Sequence, residues 1–224
     1  MGTCSVIVGP RTRLGRELSR VLPGLASERY LVARDPHEAA LLRDLDPGAV
    51  VVHACETQSG LPSGCAKVAV YVCALGPIHP GDPDFAIDAE RATGDLRFLS
   101  TLLAQLRESE VHLVFVSSVL ARVGARTSRC YYAGFKNVVE GLLAGMVATH
   151  GRGLMSVLHP GRLLDSRSIR RPMSLLRTPY HRLAQKLLRV TSRGRARRIT
   201  IGPDARLLTV ARALAETWRA ITSY

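Results

Sequence analysis

A chain of 224 residues that is 46% hydrophobic and 22% charged is long enough to bury a core without staples and too apolar to be disordered throughout. No apolar run approaches the roughly 20 residues of a membrane helix. Residues 4–9 are too short for a secretory leader, and Val6 stands where a myristoylation site needs Ser or Thr, so neither leader nor lipid anchor is expected. The net charge of +13 points on its face to nucleic acid or a membrane surface. Position says more: twelve basic residues between Arg162 and Arg198 face the single acid Asp165, so that stretch carries +11 and the rest of the chain +2. Only Lys67, Lys136 and Lys186 of the 31 basic residues are lysines, an arginine preference that fits a GC-rich genome.

In chain order, β-rich apolar runs at residues 4–8, 30–33, 50–54, 68–74, 112–117, 154–158 and 198–201 alternate with stretches of helical spacing. The clearest of these are 14–22, 36–45, 86–107, 132–149 and 179–190. Strands that are almost continuously apolar belong to a parallel sheet covered by helices on both faces. The expected fold is α/β, a Rossmann-like doubly wound parallel sheet in a single domain. The five cysteines (Cys4, Cys55, Cys65, Cys73, Cys130) are odd in number and contain no Cys-x-x-Cys pair. Cys4, Cys55 and Cys73 sit in apolar runs, where Cys acts as a small hydrophobe. Neither a disulfide framework nor a metal site is expected, and the setting is read as a reducing cytoplasm.

The first strand leads into Gly9-Pro10-Arg11-Thr12-Arg13-Leu14-Gly15 and then a helix. There a helix N-terminus offers free N–H donors and its positive dipole end to a pyrophosphate. Gly9 allows the tight turn and Gly15 lets the helix approach the sheet, with Arg11, Thr12 and Leu14 as flanking candidates. A purely structural turn is the competing reading. The second strand ends Val32-Ala33-Arg34-Asp35-Pro36. A carboxylate at that tip would receive the ribose hydroxyls of NAD, whereas Ala33 followed by Arg34 suits the extra phosphate of NADP, with Arg11 as a second partner. The alternative for Arg34 is a solvated helix-start residue. Asp35 reads as an N-cap ahead of Pro36.

Residues 114–118, Val-Phe-Val-Ser-Ser, end a buried strand in Ser117 and Ser118, and Tyr132-Ala133-Gly134-Phe135-Lys136 begins fourteen residues past Ser118. At i and i+4, Tyr132 and Lys136 share one helix face. A phenol titrates near about 10 in isolation. An adjacent ammonium favours its ionised form and brings it toward a working general acid or base. Ser118, at the strand's C-terminal edge, is placed to hydrogen-bond a substrate carbonyl or hydroxyl.

On these residues the sequence resembles the short-chain dehydrogenase/reductase family over nearly its whole length. The resemblance rests on the Gly9 to Gly15 turn, Ala33-Arg34-Asp35, Cys73-Ala74-Leu75-Gly76, Ser117-Ser118, Tyr132 with Lys136, and His159-Pro160-Gly161. It implies a catalytic set of Ser118, Tyr132 and Lys136, in which Tyr132 protonates a carbonyl oxygen. Lys136 would hold the nicotinamide ribose and lower the tyrosine's pKa, and Ser118 would orient the carbonyl. It also implies that Ala74 and Gly76 lie beside the adenosine half of NADP(H), Glu56 near the adenine, and Pro160 and Gly161 near the nicotinamide. Three positions depart from the family pattern: Arg13 replaces the middle glycine, Arg91 stands near the helix asparagine of the proton relay, and Cys-Ala-Leu-Gly replaces Asn-Asn-Ala-Gly. Actinobacterial reductases of keto-sugars are the branch the pattern loosely resembles.

In such proteins the stretch after Pro160-Gly161 forms a substrate loop and helix over the nicotinamide. Thr178-Pro179 followed by Leu183, Leu187 and Leu188 reads as that helix's capped start and apolar face. The basic segment, residues 162–198, is therefore expected to form a lid over the substrate entrance. Three readings stay open for it. It steers an anionic substrate such as a carrier-protein thioester, a coenzyme A thioester or a phosphorylated sugar; it lies on anionic lipid through Met173, Leu175, Leu176 and Leu183; or it is a solvated surface. Nucleic acid is disfavoured because aromatic residues make up only 5% and no stacking platform shows. Residues 193–198 are assigned to a helix-to-strand turn. The histidines His53, His79, His112, His150 and His159 lack metal-ligand spacing, and His159, the one expected near the site, is given an ordinary packing role.

The activity expected is NADPH-dependent reduction of a ketone, or the reverse alcohol oxidation, on a small, sugar-like or carrier-tethered metabolite in secondary metabolism. The alternatives are a catalytically idle cofactor-binding partner of a homologous reductase, and a redox-neutral isomerase or dehydratase. A homo-oligomer, or a hetero-oligomer with a homologous reductase, built through the helices after Ser118 and around residues 86–107, is implied by the resemblance.

Overall fold

A computed structural model describes residues 3–24, 28–54, 62, 64–73, 75, 83–123, 130–164 and 177–222. Its strands are β1 (Thr3–Val8), β2 (Glu28–Ala33), β3 (Val50–His53), β4 (Lys67–Val72), β5 (Glu110–Val116), β6 (Gly153–Pro160), β7 (Leu163–Leu164), β8 (Thr178–Pro179) and β9 (Arg198–Ile201). The helices are α1 (Arg13–Val21), α2 (Pro36–Leu45), α3 (Phe85–Gln105), α4 (Val119–Val123), α5 (Cys130–His150), α6 (Tyr180–Thr191) and α7 (Pro203–Thr222). Seven strands form one sheet in the order β3-β2-β1-β4-β5-β6-β9, and every ladder in it is parallel. The chain starts at the centre, runs to one edge, then crosses back to β4 and runs to the other. The strand order therefore reverses between β1 and β4, the position where open α/β sheets bind ligands beyond the carboxyl ends of their strands.

The alternation of side chains along each strand divides the core in two. On one face Val6, Val8, Val70, Leu113 and Phe115 meet Phe98, Leu99 and Leu102 of α3 and Val139 and Leu143 of α5. On the other, Ile7, Leu31, Tyr71, Val114 and Leu158 meet Leu14 and Leu18 of α1, Leu42 of α2, and Leu183 and Leu187 of α6. β1, β4 and β5 bury every residue but the first, which is why their sequences are nearly unbroken apolar runs. Helix α2 is capped as its sequence predicts, the Asp35 carboxylate accepting from the Glu38 N–H at 2.7 Å.

Four features differ from the sequence reading. Helix α6 is not a lid: Leu183, Ala184 and Leu187 are fully buried against the sheet and α1. Its amphipathic pattern shows which face is buried but not what buries it. Thr178 lies in β8 and does not cap α6, whose N-cap, Pro179, makes no side-chain cap bond. Cys4 and Cys65 are joined in a disulfide with a Cα–Cα distance of 6.1 Å. They are 61 residues apart in sequence, but β1 and β4 are parallel neighbours and the pairing brings their leading ends together. Glu28 lies beside this pair, where bonded sulfurs do not offer thiolate ligands. Finally, α7 has no counterpart among the helices expected from spacing. Ala205 is buried on it, while Leu207, Val210, Leu214 and Trp218 are exposed, so it carries no simple core-facing stripe. Among the described residues no helix is long and apolar enough to cross a membrane.

Candidate active site

The carboxyl end of β5 delivers Ser117 and Ser118, and the first turns of α5 set Tyr132 and Lys136 beside them. Lys136 is buried. Its Nζ donates to the Leu75 carbonyl at 3.1 Å and lies 5.0 Å from the Phe115 ring centroid and 5.8 Å from that of Tyr132. Burial lowers the Lys136 ammonium to about 8, against the pull of the Glu140 charge. Burial raises the Tyr132 phenol, and a hydrogen bond with Ser118 opposes that rise. The sequence suggested that Lys136 would hold the phenol down. Instead the ammonium is directed at a carbonyl and at ring faces, and the phenol stays protonated near neutral pH. That is the form able to give a proton to a carbonyl oxygen.

The turn after β1 has the geometry its glycines require. Gly9 adopts φ +79°, and a side chain on Gly15 would run into the Gly9 and Pro10 backbone. Thr12 caps α1: its hydroxyl donates to the Gly9 carbonyl at 2.8 Å and accepts from the Gly15 N–H at 3.0 Å. No acid stands in the first turn of α1, so its N-terminus keeps its positive field at the sheet's carboxyl edge. Arg11 is exposed there, whereas the Leu14 side chain belongs to the core.

Solved structures resemble this architecture over most of the chain. One is a short-chain dehydrogenase from Burkholderia cenocepacia J2315 in complex with NADP, at 20% identity and TM-score 0.72, covering 99% of this chain and 96% of that one. Another is a short-chain dehydrogenase/reductase from Vibrio parahaemolyticus, at 16% identity and TM-score 0.65, covering 88% and 98%. A third, a short-chain type dehydrogenase/reductase from Mycobacterium ulcerans, has 16% identity and TM-score 0.62, covering 92% and 90%. This chain has the short-chain dehydrogenase/reductase fold. No protein-family model matches it, and no curated protein does.

Within that fold the other expected residues divide. Arg34 reaches the carboxyl edge, but its guanidinium makes two hydrogen bonds to the buried Asp95 carboxylate, at 2.8 and 3.3 Å. It is thus an ion-paired residue and not the solvated helix-start residue that was the alternative. Glu56, Ala74 and Gly76 lie outside the described residues. Pro160 ends β6, and a Cβ on Gly161 would displace the Asp204 carboxylate from its present position. Sequence reasoning missed Asp204. Its carboxylate accepts from the Arg162 N–H at 2.6 Å and so ties the turn after β6 to the start of α7. The signal was Gly202-Pro203-Asp204, a helix start with Pro in its first turn. Arg91 is exposed and pairs with Asp88 at 3.3 Å.

A cleft of about 690 Å³ opens at this edge, lined by Ser118, Tyr132, Arg162, Arg177, Leu207 and Leu208 among others. Among the described residues of the basic segment Arg162 and Arg177 border it; residues 165–176 lie outside the described residues. Arg182, Lys186 and Arg189 ride on α6, and Arg193, Arg195 and Arg197 lie in the turn before β9. In the described part of the segment, then, α6 and the turn before β9 do not form a lid over this cleft. A second cleft, of about 790 Å³, opens at the opposite edge beside Tyr71, His112 and Thr191 and contains none of the expected site residues.

Proposed function

We propose that this chain is an NADPH-dependent reductase of the short-chain dehydrogenase/reductase type, acting on a carbonyl group. The observation that carries the reading is the convergence of Ser118, Tyr132 and buried Lys136 at the carboxyl edge, two strands from the Gly9–Gly15 turn. The turn fits the cofactor: Gly9 takes the positive φ of the tight turn and Gly15 lets α1 pack directly on it, and the α1 N-terminus is suited to a pyrophosphate. Gly9, Thr12 and Gly15, with the Leu14 backbone, would hold that group. Arg11 and Arg34 would meet the additional phosphate, Pro160 and Gly161 would flank the nicotinamide, and Lys136 would hold its ribose. When bound, the cofactor supplies the reducing equivalents.

The chain's own residues supply the rest. Ser118 hydrogen-bonds the carbonyl oxygen and aligns it with the phenol. Tyr132, kept protonated by burial, gives its proton to that oxygen as negative charge develops. The Lys136 ammonium beside the ring stabilises the phenolate that remains. For the substrate, Arg162 and Arg177 beside a wall of Leu207, Leu208 and Ala211 suit a small or carrier-tethered metabolite with an anionic group near the mouth and an apolar portion along α7. A secondary-metabolic role and assembly through α3 and α5, which expose Ile87, Val138 and Leu142, belong to the same proposal.

The test is Tyr132→Phe assayed on a panel of ketones that bear carboxylate or thioester groups. Turnover should fall by a factor of about 10²–10⁴, while NADPH binding followed by fluorescence stays within a few-fold of wild type. Wild-type turnover in the variant, or no NADPH binding in either protein, overturns the reading.

A further inference from the structure

Helix α5 carries its polar inward residues at a strict four-residue interval: Tyr132, Lys136 and then Glu140. Lys136 and Glu140 are both buried, although a helix face against a sheet is ordinarily filled with apolar side chains. The Glu140 carboxylate is met by a buried histidine on β6, His159, with Nε2 donating to Oε1 at 2.9 Å. A buried carboxylate and imidazole cost desolvation that a pair of leucines would not, so packing alone does not account for them. Burial pushes the Glu140 carboxyl up, but the His159 hydrogen bond and the Arg198 charge help to outweigh it, and the carboxyl lies below its ordinary value.

The position of this pair relative to the lysine gives it a purpose. The described partners of the Lys136 ammonium are a carbonyl oxygen and two ring faces, none of which carries a full negative charge. Glu140, one turn further along the same helix, is the charge that acts on it. The groups facing this array from other elements are His159 of β6, Arg198 of β9 and the uncharged Phe115 of β5, with Ser117 at the end of β5. On α3, Arg91 is turned to solvent and bound to Asp88, so the lysine gains no support from that side chain.

We infer that Glu140 and His159 are positioning residues for the reaction. The Glu140 carboxylate keeps the buried Lys136 ammonium charged, and His159 keeps that carboxylate oriented through its Nε2–H. The inference rests on the proposed Tyr132–Lys136 chemistry, but it can be tested without turnover. The chain contains only three lysines, and Lys67 and Lys186 stand outside the core, so protein carrying isotope-labelled lysine should give three separable side-chain signals in an NMR titration.

In Glu140→Gln, which keeps size and removes charge, the Lys136 midpoint should fall by about one pH unit as an opposite charge is lost, with Lys67 and Lys186 unmoved. The alkaline limb of the kcat profile should move down with it, while KM for NADPH changes little. His159→Leu should reproduce the shift, and His159→Gln, which still offers an N–H, should restore most of the wild-type midpoint. The His159 pair also serves if Glu140→Gln does not fold. An unshifted Lys136 midpoint in Glu140→Gln or His159→Leu overturns the inference. Lys136→Met with full turnover would instead overturn the catalytic reading on which it rests.

Discussion

At the amino edge of the sheet, Cys4 is bonded to Cys65, Arg29 holds Asp46 through two hydrogen bonds at 3.0 and 2.8 Å, and the Tyr30 hydroxyl donates to Glu28 at 2.6 Å. At the carboxyl edge, a lysine and a glutamate are buried along one helix, a glycine sits at positive φ, and a phenol is held protonated in a cleft. One edge is tied by a covalent cross-link and close polar pairs. The other keeps groups that burial disfavours, in the arrangement proton transfer needs. Both edges hang on the same strands.

The largest effect expected from this contrast is at the cross-link. Cys65→Ser opens a 61-residue loop and should cost about 4 kcal/mol of stability by chain-entropy reasoning, read by denaturant unfolding, with kcat unchanged. A loss of kcat without loss of stability would mean that the edges are not separable. Next comes α6. Leu187→Ala removes a fully buried side chain and should cost about 3 kcal/mol while leaving the KM for substrate alone. A KM effect at unchanged stability would restore the lid that the sequence suggested. The smallest effect is at the cleft mouth. Arg162→Gln or Arg177→Gln should raise the KM of an anionic substrate by about tenfold, close to 1.4 kcal/mol, and flatten its salt dependence. Arg189→Gln on α6 should do neither.

The sheet was legible because β1, β4 and β5 are buried on both faces and their sequences leave almost no polar residue to misread. The convergence of Ser118, Tyr132 and Lys136 was legible because strand end and helix start fix their spacing. Glu140 was not, and His159, expected near the site, was read only as packing. Nothing in a 19-residue separation shows that a helix carboxylate and a strand-end imidazole meet. The disulfide was hidden for the same reason, since only strand pairing brings Cys4 to Cys65. Arg34 was placed at the right strand tip, but its partner Asp95 lies 61 residues away and no local pattern announces it. The basic segment misled because charge was counted along the chain, whereas the fold sends α6 to one face of the sheet and Arg162 and Arg177 to the cleft.

The contrast between the edges meets in one residue. Lys136 is charged at neutral pH in a buried site that lowers its pKa to about 8, so folding is disfavoured wherever that charge must be carried inside. Lys136→Met should therefore raise Tm at pH 7 by a few degrees, at about 2–4 °C per kcal/mol for a chain of this size. The gain should be full below pH 8 and shrink between pH 8 and the ordinary lysine value of 10.5, where the folded wild type sheds the charge that its unfolded chain still carries. The same variant should lose NADPH-dependent ketone reduction. A Lys136→Met protein that is more stable at pH 7 and inactive is the predicted result; one that is less stable at pH 7, or that reduces ketones as wild type does, would contradict the account.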